Sequence, residues 1–336
     1  MAASKVNPNL CYHLPEEGYN NLFLVRDSLK LLMNCAEDGQ KAVASFVWNY
    51  IRPRWGDVQA DTIDHLHLQE WVHKTLMPAL HNRTVREIIS LVKQIFTLYR
   101  ARNRSAHDPT EGITIRQPDP DEVDPFTREE INAILGTHTD KLQELYLAQF
   151  MLWTGPRVSE AIALAWEDVD LKAGTVRFRR AQVRGVYKVT KNRRSNREVR
   201  LLKPALQALH AMAMHTQKLK PVEVEVLDRD NKTRKRQALR FVFHCTSTGA
   251  AHSSSDMLLK GFWRPHLAAA GVRYRGPNNC RHTYASQLLT TGAVTLQWLK
   301  DQMGHTTIAM LERHYGKYIS KDGPDMIPLL EHALKL

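Results

Sequence analysis

Residues 105–124 read SAHDPTEGITIRQPDPDEVD and constrain the fold more than any other stretch. Three prolines fix φ and remove backbone donors, the acids cluster, and few large apolar side chains are available for burial. A packed core cannot run through such a segment, so it reads as a linker. At 336 residues the chain is also longer than one ordinary core supports, and the break predicts two domains.

On the N-terminal side, residues 1–18 show little periodicity and read as a loose lead-in. From 19 to 104 the apolar spacing is helical. Leu22, Val25, Leu29 and Leu32 mark one helix, and Val43, Phe46, Val47 and Ile51 a second. Ile63 to Leu76 gives a third; Val85, Ile88, Ile89, Val92, Ile95, Phe96 and Tyr99 give a fourth, long and amphipathic. No alternating pattern interrupts them, so an all-helical domain is expected over 19–104.

Beyond the linker the pattern changes. Thr127 and Glu130 have the spacing of a capping box, and helices fill most of 127–165. Strands are expected at Thr175–Arg180, Val186–Thr190 and Glu198–Leu202, with a second hairpin over 222–243 turning at Asp230-Asn231. From Ser254 onward the spacing is helical again. The fold class predicted is mainly α with a small antiparallel β-sheet, the sheet belonging to an α+β domain over 125–320, followed by a tail at 321–336.

Charge divides along the same line. Residues 1–124 hold 14 basic and 16 acidic side chains, and the remainder 33 against 19, so the net +12 belongs to the C-terminal part. Such an excess suits a polyanion, since each neutralised phosphate releases counterions. Cys11, Cys35, Cys245 and Cys280 have neither disulfide-framework nor metal-ligand spacing and read as reduced, buried thiols. No apolar run approaches the roughly 20 residues of a membrane span, and no signal-peptide layout is present, so a cytoplasmic protein without a membrane partner is expected.

Five short stretches carry candidate chemistry. They are Thr154-Gly-Pro-Arg157-Val-Ser-Glu160; Val189-Thr-Lys191 with the basic run to Arg200; Pro277-Asn-Asn-Cys-Arg281-His-Thr-Tyr-Ala-Ser286; Met303-Gly-His305; and Glu312-Arg-His-Tyr315-Gly-Lys-Tyr318. Each alone has a bland reading: a surface arginine, a solvated basic turn, a capping histidine, a core tyrosine. Between Lys172 and Lys203, however, twelve Lys/Arg accompany a single acid, Glu198, which makes that surface phosphate-seeking.

In this order, Arg-x-x-Glu, a hairpin lysine, Arg-His-Thr-Tyr-Ala, Gly-His and Tyr, the stretches resemble the tyrosine recombinase (phage integrase) catalytic domain over roughly 124–320. The helical region before it more loosely resembles the family's core-binding (SAM-like) domain. The resemblance implies a site-specific DNA recombinase that cleaves and rejoins strands through a covalent 3′-phosphotyrosine, integrating or excising a phage or other mobile element. It implies Arg157 and Arg281 as a clamp on the scissile phosphate, Lys191 as the hairpin lysine, His305 as the second histidine and Tyr315 as nucleophile. Double-stranded DNA attachment sites, a homo-tetramer on DNA closing around the duplex as C-shaped clamps, and accessory DNA-bending proteins are the partners it allows. No metal, cofactor or ATP is expected, and the setting is a bacterial host's cytoplasm.

The chemistry is consistent with those residue types. Two planar, permanently protonated forks can hold both nonbridging phosphate oxygens and stabilise the charge that grows during attack. A lysine can give the leaving 5′ oxygen its proton. A tyrosine with an ordinary pKa near 10 needs activation by cations and a proton acceptor.

One position departs from the pattern: Asn278 stands where family members often carry a histidine, three residues before the second arginine. Asparagine can hydrogen-bond but cannot carry a proton at neutral pH. His282 is favoured as a packing residue over a substitute for it, and Tyr318 is the rival nucleophile. Lys93, Arg100, Arg102 and Arg104 are candidate phosphate contacts from the helical domain. The tail Asp325–Leu336 either docks on a neighbouring subunit or packs on its own domain. The arm-site module of many integrases is not visible; either this branch lacks it or the sequence begins after it. Two rivals remain: a related type IB topoisomerase or resolvase, and a non-catalytic DNA-binding protein on an integrase scaffold.

Overall fold

Asp64 sets the first capped helix: its carboxylate accepts the His67 N–H at 2.8 Å. The computed structural model, which describes residues 43–102, 106–116, 122–190 and 196–318, therefore starts α1 at His65 (His65–Trp71), two residues after Ile63. A π-helical turn, Val72–Leu76, prolongs it. The long amphipathic run becomes α2, Asn82–Arg102. Its apolar stripe, Val85, Ile88, Ile89, Val92, Ile95, Phe96 and Tyr99, is buried against Val47, Ile51, Trp55, Leu68 and Trp71. Trp55 and Trp71 meet edge to face at 5.6 Å. Contacts divide the chain into Met1–Pro120, to which this core belongs, and Asp121–Leu336. The expected helix at Leu22–Leu32, the lead-in, Cys11 and Cys35, and the tail lie outside the described residues.

The second unit opens as the capping box predicts. Thr127 Oγ1 accepts the Glu130 N–H at 3.2 Å and Glu130 accepts the Thr127 N–H at 2.9 Å, starting α3 (Arg128–Gly136). α4 (Leu142–Thr154) and the short α5 (Val158–Ala161) follow. Then come strands β1 (Val169–Asp170), β2 (Thr175–Phe178), β3 (Arg180–Val183), β4 (Val186–Val189) and β5 (Arg197–Arg200). α6 (Lys203–Thr216), β6 (Val222–Leu227) and β7 (Arg234–Leu239) complete the middle of the unit. A helical run ending in α7 (Arg264–Ala269) leads to α8 (Asn279–Thr290), α9 (Leu296–Met303) and α10 (Ile308–Tyr315). The main core joins Leu147, Phe150, Phe178, Val199, Leu209, Phe243 and Trp263; a second cluster of Tyr284, Leu289, Leu299, Met303, Leu311 and Tyr315 packs α8, α9 and α10 together.

The strands form two small sheets, ordered β1-β2-β5 and β3-β4-β6-β7. Pairing is antiparallel except at β4–β6, where Tyr187↔Val226 and Lys188↔Leu227 run parallel. The register divides the strands between the two sheets. Phe178 pairs with Arg197, Arg180 pairs with Val189, and the Thr190 N–H donates to the Arg179 carbonyl. β3 and β4 thus form a hairpin whose tip is Arg184-Gly185, both at positive φ. Strand alternation is interrupted between β2 and β3: Arg179 and Arg180 both reach Asp168 although neighbours on a regular strand face opposite ways.

Candidate active site

α4 ends because Gly155 turns left-handed at φ 67°. Only glycine fits: a Cβ would overlap the ring of Tyr284, which is 2% exposed. The turn brings Arg157 to the start of α5, where its backbone N–H and its Nη1 both donate to Glu160, at 3.1 and 2.8 Å. Glu160 is buried, and its second neighbour is Arg197 of β5, whose Nη2 donates at 3.0 Å. Arg197 is itself fixed by a bond to the Gln302 carbonyl at 2.7 Å and by stacking over Phe178.

Arg281 enters from α8, also buried. Its Nη1 donates to the Gly155 carbonyl at 2.8 Å and its Nη2 to the Met303 carbonyl at 2.7 Å. One guanidinium thus ties the α4–α5 turn to the end of α9. Asn278, just before α8, accepts the Val158 N–H at 3.1 Å, so its amide oxygen is committed to the same turn. α9 ends at Gly304, left-handed at φ 67°, which places His305 directly behind it. Tyr315 closes α10, 1% exposed, with its hydroxyl 2.7 Å from His282 Nδ1.

Electrostatics unites these groups. Burial alone would raise the Glu160 carboxyl, but Arg197, Arg281 and Arg157 outweigh it and hold it below the usual carboxylate range. Burial, then Arg197 and Arg157, push Arg281 down to about 9, against Glu160 and Tyr315; it stays protonated at neutral pH. Burial and the guanidiniums of Arg281, Arg157 and Arg197 push His305 down to about 3, so it is a neutral ring. Burial pushes the Tyr315 hydroxyl up to about 12, with Arg281 opposing. Three guanidiniums around one carboxylate leave a cationic surplus, and Arg157, with a side chain 46% exposed, is the one that opens to solvent. A phosphodiester is the kind of group such a surplus can hold.

Of the five predicted residues, Arg157, Arg281, His305 and Tyr315 are brought together; Lys191 lies outside the described residues. Tyr318 is turned elsewhere, its hydroxyl donating to the Val123 carbonyl at 3.3 Å. Three participants were not singled out as site residues by sequence. Glu160 was visible only as part of the first stretch, and Arg197 was one of many cations in a basic run. His282 does not face a packing partner alone, as the sequence reading favoured, but ends on the Tyr315 hydroxyl. Among the described residues no cluster of His, Cys, Asp or Glu is placed to hold a metal ion, and no helix is long and apolar enough to cross a membrane. Cys245 and Cys280 are buried free thiols.

Residues 123–319, which contain every group of this site, match the family model described as the Phage integrase family. The chain belongs to the phage integrase family. Within it, the chain is 32% identical over 259 residues to the prophage integrase IntR of Escherichia coli (strain K12), covering 75% of this chain and 62% of the relative. It therefore spans about three fifths of that integrase's length. The fold is that of solved family members. The integrase of the Tn1549 transposon, determined with a circular intermediate DNA, superimposes with a TM-score of 0.72 at 15% identity, covering 94% of this chain and 99% of that one. A lambda integrase dimer bound to a core site gives 0.62 at 13% identity, covering 90% and 96%.

Proposed function

We propose that this integrase-family chain is a site-specific DNA recombinase in which Tyr315 attacks the scissile phosphate and becomes a 3′-phosphotyrosine. The observation that carries the reading is the convergence of Arg157, Arg281 and His305, from three separate helices, around the end of the helix that bears Tyr315. Arg157 and Arg281 stabilise charge growing on the nonbridging oxygens, the part that a metal ion plays in many other phosphoryl-transfer enzymes. His305, neutral, donates a hydrogen bond to the same group. Lys191 gives the departing 5′ oxygen its proton. The phosphotyrosine stores the bond, so rejoining needs no ATP.

Exchange between two attachment sites takes four strand cleavages, and four copies of the chain would supply them; the element is a phage or other mobile DNA, moved in either direction in the bacterial cytoplasm, with bending proteins as accessories. The helical unit over 19–104 is the second grip on duplex DNA. Lys93 is exposed on α2, whereas Arg100 lies 3.5 Å from Asp108 and is partly engaged; the Arg102 side chain and Arg104 fall outside the described residues. The domain boundaries at 105–124 and 321–336 belong to the same proposal.

A second reading draws on the burial of Tyr315: a DNA-binding protein that keeps the scaffold without the chemistry. A nicked suicide duplex carrying the attachment core of the gene's own element separates the two. A denaturation-resistant adduct that forms with the unaltered chain and with Tyr318→Phe, and is absent with Tyr315→Phe, supports the recombinase. A duplex that is bound and never cleaved supports the second reading.

A further inference from the structure

We propose that His282 is the proton acceptor for Tyr315, replacing the histidine whose usual place Asn278 occupies. This rests on the recombinase reading above and gives the histidine of the Arg-His-Thr-Tyr-Ala stretch a chemical role. His282 Nδ1 is 2.7 Å from Tyr315 Oη, with ring centroids 5.7 Å apart. That is direct hydrogen-bond reach of the reacting oxygen. The tyrosine donates when Nδ1 is bare, which places the ring proton on Nε2.

The alternatives in the site are poorer acceptors. Asn278 has no basic atom, and its oxygen already holds the Val158 N–H. His305 lies among Arg281, Arg157 and Arg197, which makes it a far weaker base and fits it to donate to phosphate. Arg281 and Arg157 are cations. The groups that bear on His282 are Arg281 on its own helix and His314 and Tyr315 on α10. Burial, then Arg281 and His314, hold His282 below the ordinary histidine value, so the ring is neutral and able to accept at pH 7.

The step balances. As Oη bonds to phosphorus, its proton passes to Nδ1 and the 5′ oxygen leaves with a proton from the general acid. His282 becomes an imidazolium beside the phosphotyrosine. In the reverse step the attacking 5′ hydroxyl returns its proton to the general acid, and the departing Oη recovers its own from His282. Because Tyr315 Oη is otherwise pushed up to about 12, an acceptor in contact is what makes attack feasible near neutrality.

The test uses the full chain and the nicked suicide duplex with the element's attachment core, reading the single-turnover rate of adduct formation. His282→Gln keeps an oxygen that can hold the Tyr315 hydroxyl in place but cannot take its proton. The expected result is a loss of about a hundredfold or more, with DNA binding by gel shift and thermal unfolding close to those of the unaltered chain. The pH profile distinguishes chemistry from positioning. The unaltered chain's rate should rise with pH as His282 loses its proton, with a midpoint below 6.5, and then level off, whereas the Gln variant's rate should climb about tenfold per pH unit through pH 7–9. In His282→Ala, added imidazole should restore adduct formation in proportion to its neutral form. A Gln variant with the same rate and the same plateau overturns the proposal while leaving the recombinase reading intact. An unaltered chain that binds the duplex and never forms an adduct overturns both.

Discussion

Around α2 the buried positions are a continuous apolar stripe, and among the described residues of the N-terminal unit Thr110 is the only buried polar side chain. On α8 the buried residues are Cys280, Arg281, Thr283, Tyr284, Ala285, Ser286 and Leu289, a mixture of polar and apolar side chains. In the same unit Glu144, Glu160, Asp168, Arg180, Arg197 and Arg275 are also buried. α2 is explained by its own amphipathicity and the transfer of aliphatic surface from water. α8 is not: burying Arg281 costs more than a leucine there would return. The difference teaches where each helix gets its sequence: α2 answers to packing, and α8 to a site that needs cations held out of water.

Substitutions can break or sharpen that comparison. The largest effect is expected from Tyr315→Phe, which should abolish the covalent adduct while changing stability by only about 1 kcal/mol, the worth of one hydrogen bond. Adduct formation and urea unfolding measured side by side test it; an adduct that survives would remove Tyr315 from the site. Next is Glu160→Gln, which leaves three guanidiniums around a neutral amide and should cost about 3–5 kcal/mol in urea unfolding. Its cost should shrink as the pH falls through the carboxyl's lowered pKa, because protonation makes the same change. Leu68→Ala in the N-terminal core should cost about 2–4 kcal/mol through its cavity and show no such pH dependence. A pH-independent Glu160→Gln would mean the carboxylate is ordinary packing.

Acid should also separate the units. His252, His282 and His305 all titrate below their ordinary value because burial disfavours the charged ring. Their unfolded forms bind protons first, so they stabilise the C-terminal unit fully above about pH 6.5 and progressively less as the pH falls below it. Each contributes up to about 1.4 kcal/mol per pH unit within its window. Hydrogen exchange of α8 and α2, corrected for intrinsic rates, should show α8 losing protection first between pH 6.5 and 5. Equal loss in both would show that these histidines are not the cause. The smallest effect is Thr127→Ala, about 1 kcal/mol for a lost helix cap, seen as a drop in Tm without loss of adduct formation.

Much of the architecture was legible in the chain. The stripe of α2, the Thr127–Glu130 box and the hairpin turning near Asp230 are local patterns, and each appears where its spacing places it. The strands were also legible, but their partnership was not. Val186–Thr190 and Glu198–Leu202 are consecutive strands in the sequence reading, yet the observed Val186–Val189 and Arg197–Arg200 belong to different sheets, because register depends on which rung each residue meets. Arg197 was indistinguishable from its basic neighbours until its guanidinium was seen between Glu160, Gln302 and Phe178.

The sequence by itself determined the order of the motif stretches, the apolar stripe of α2 and the capped start of α3, since each of these is written within a few neighbouring residues. Only the tertiary structure decided what each group touches. Arg281 meets Gly155 across 126 residues and Asn278 meets Val158 across 120. His282 meets Tyr315 across 33. No periodicity encodes such contacts; they arise when α8, α9 and α10 bury their shared cluster of Tyr284, Leu299, Met303 and Leu311 and carry the polar residues between those positions into one place.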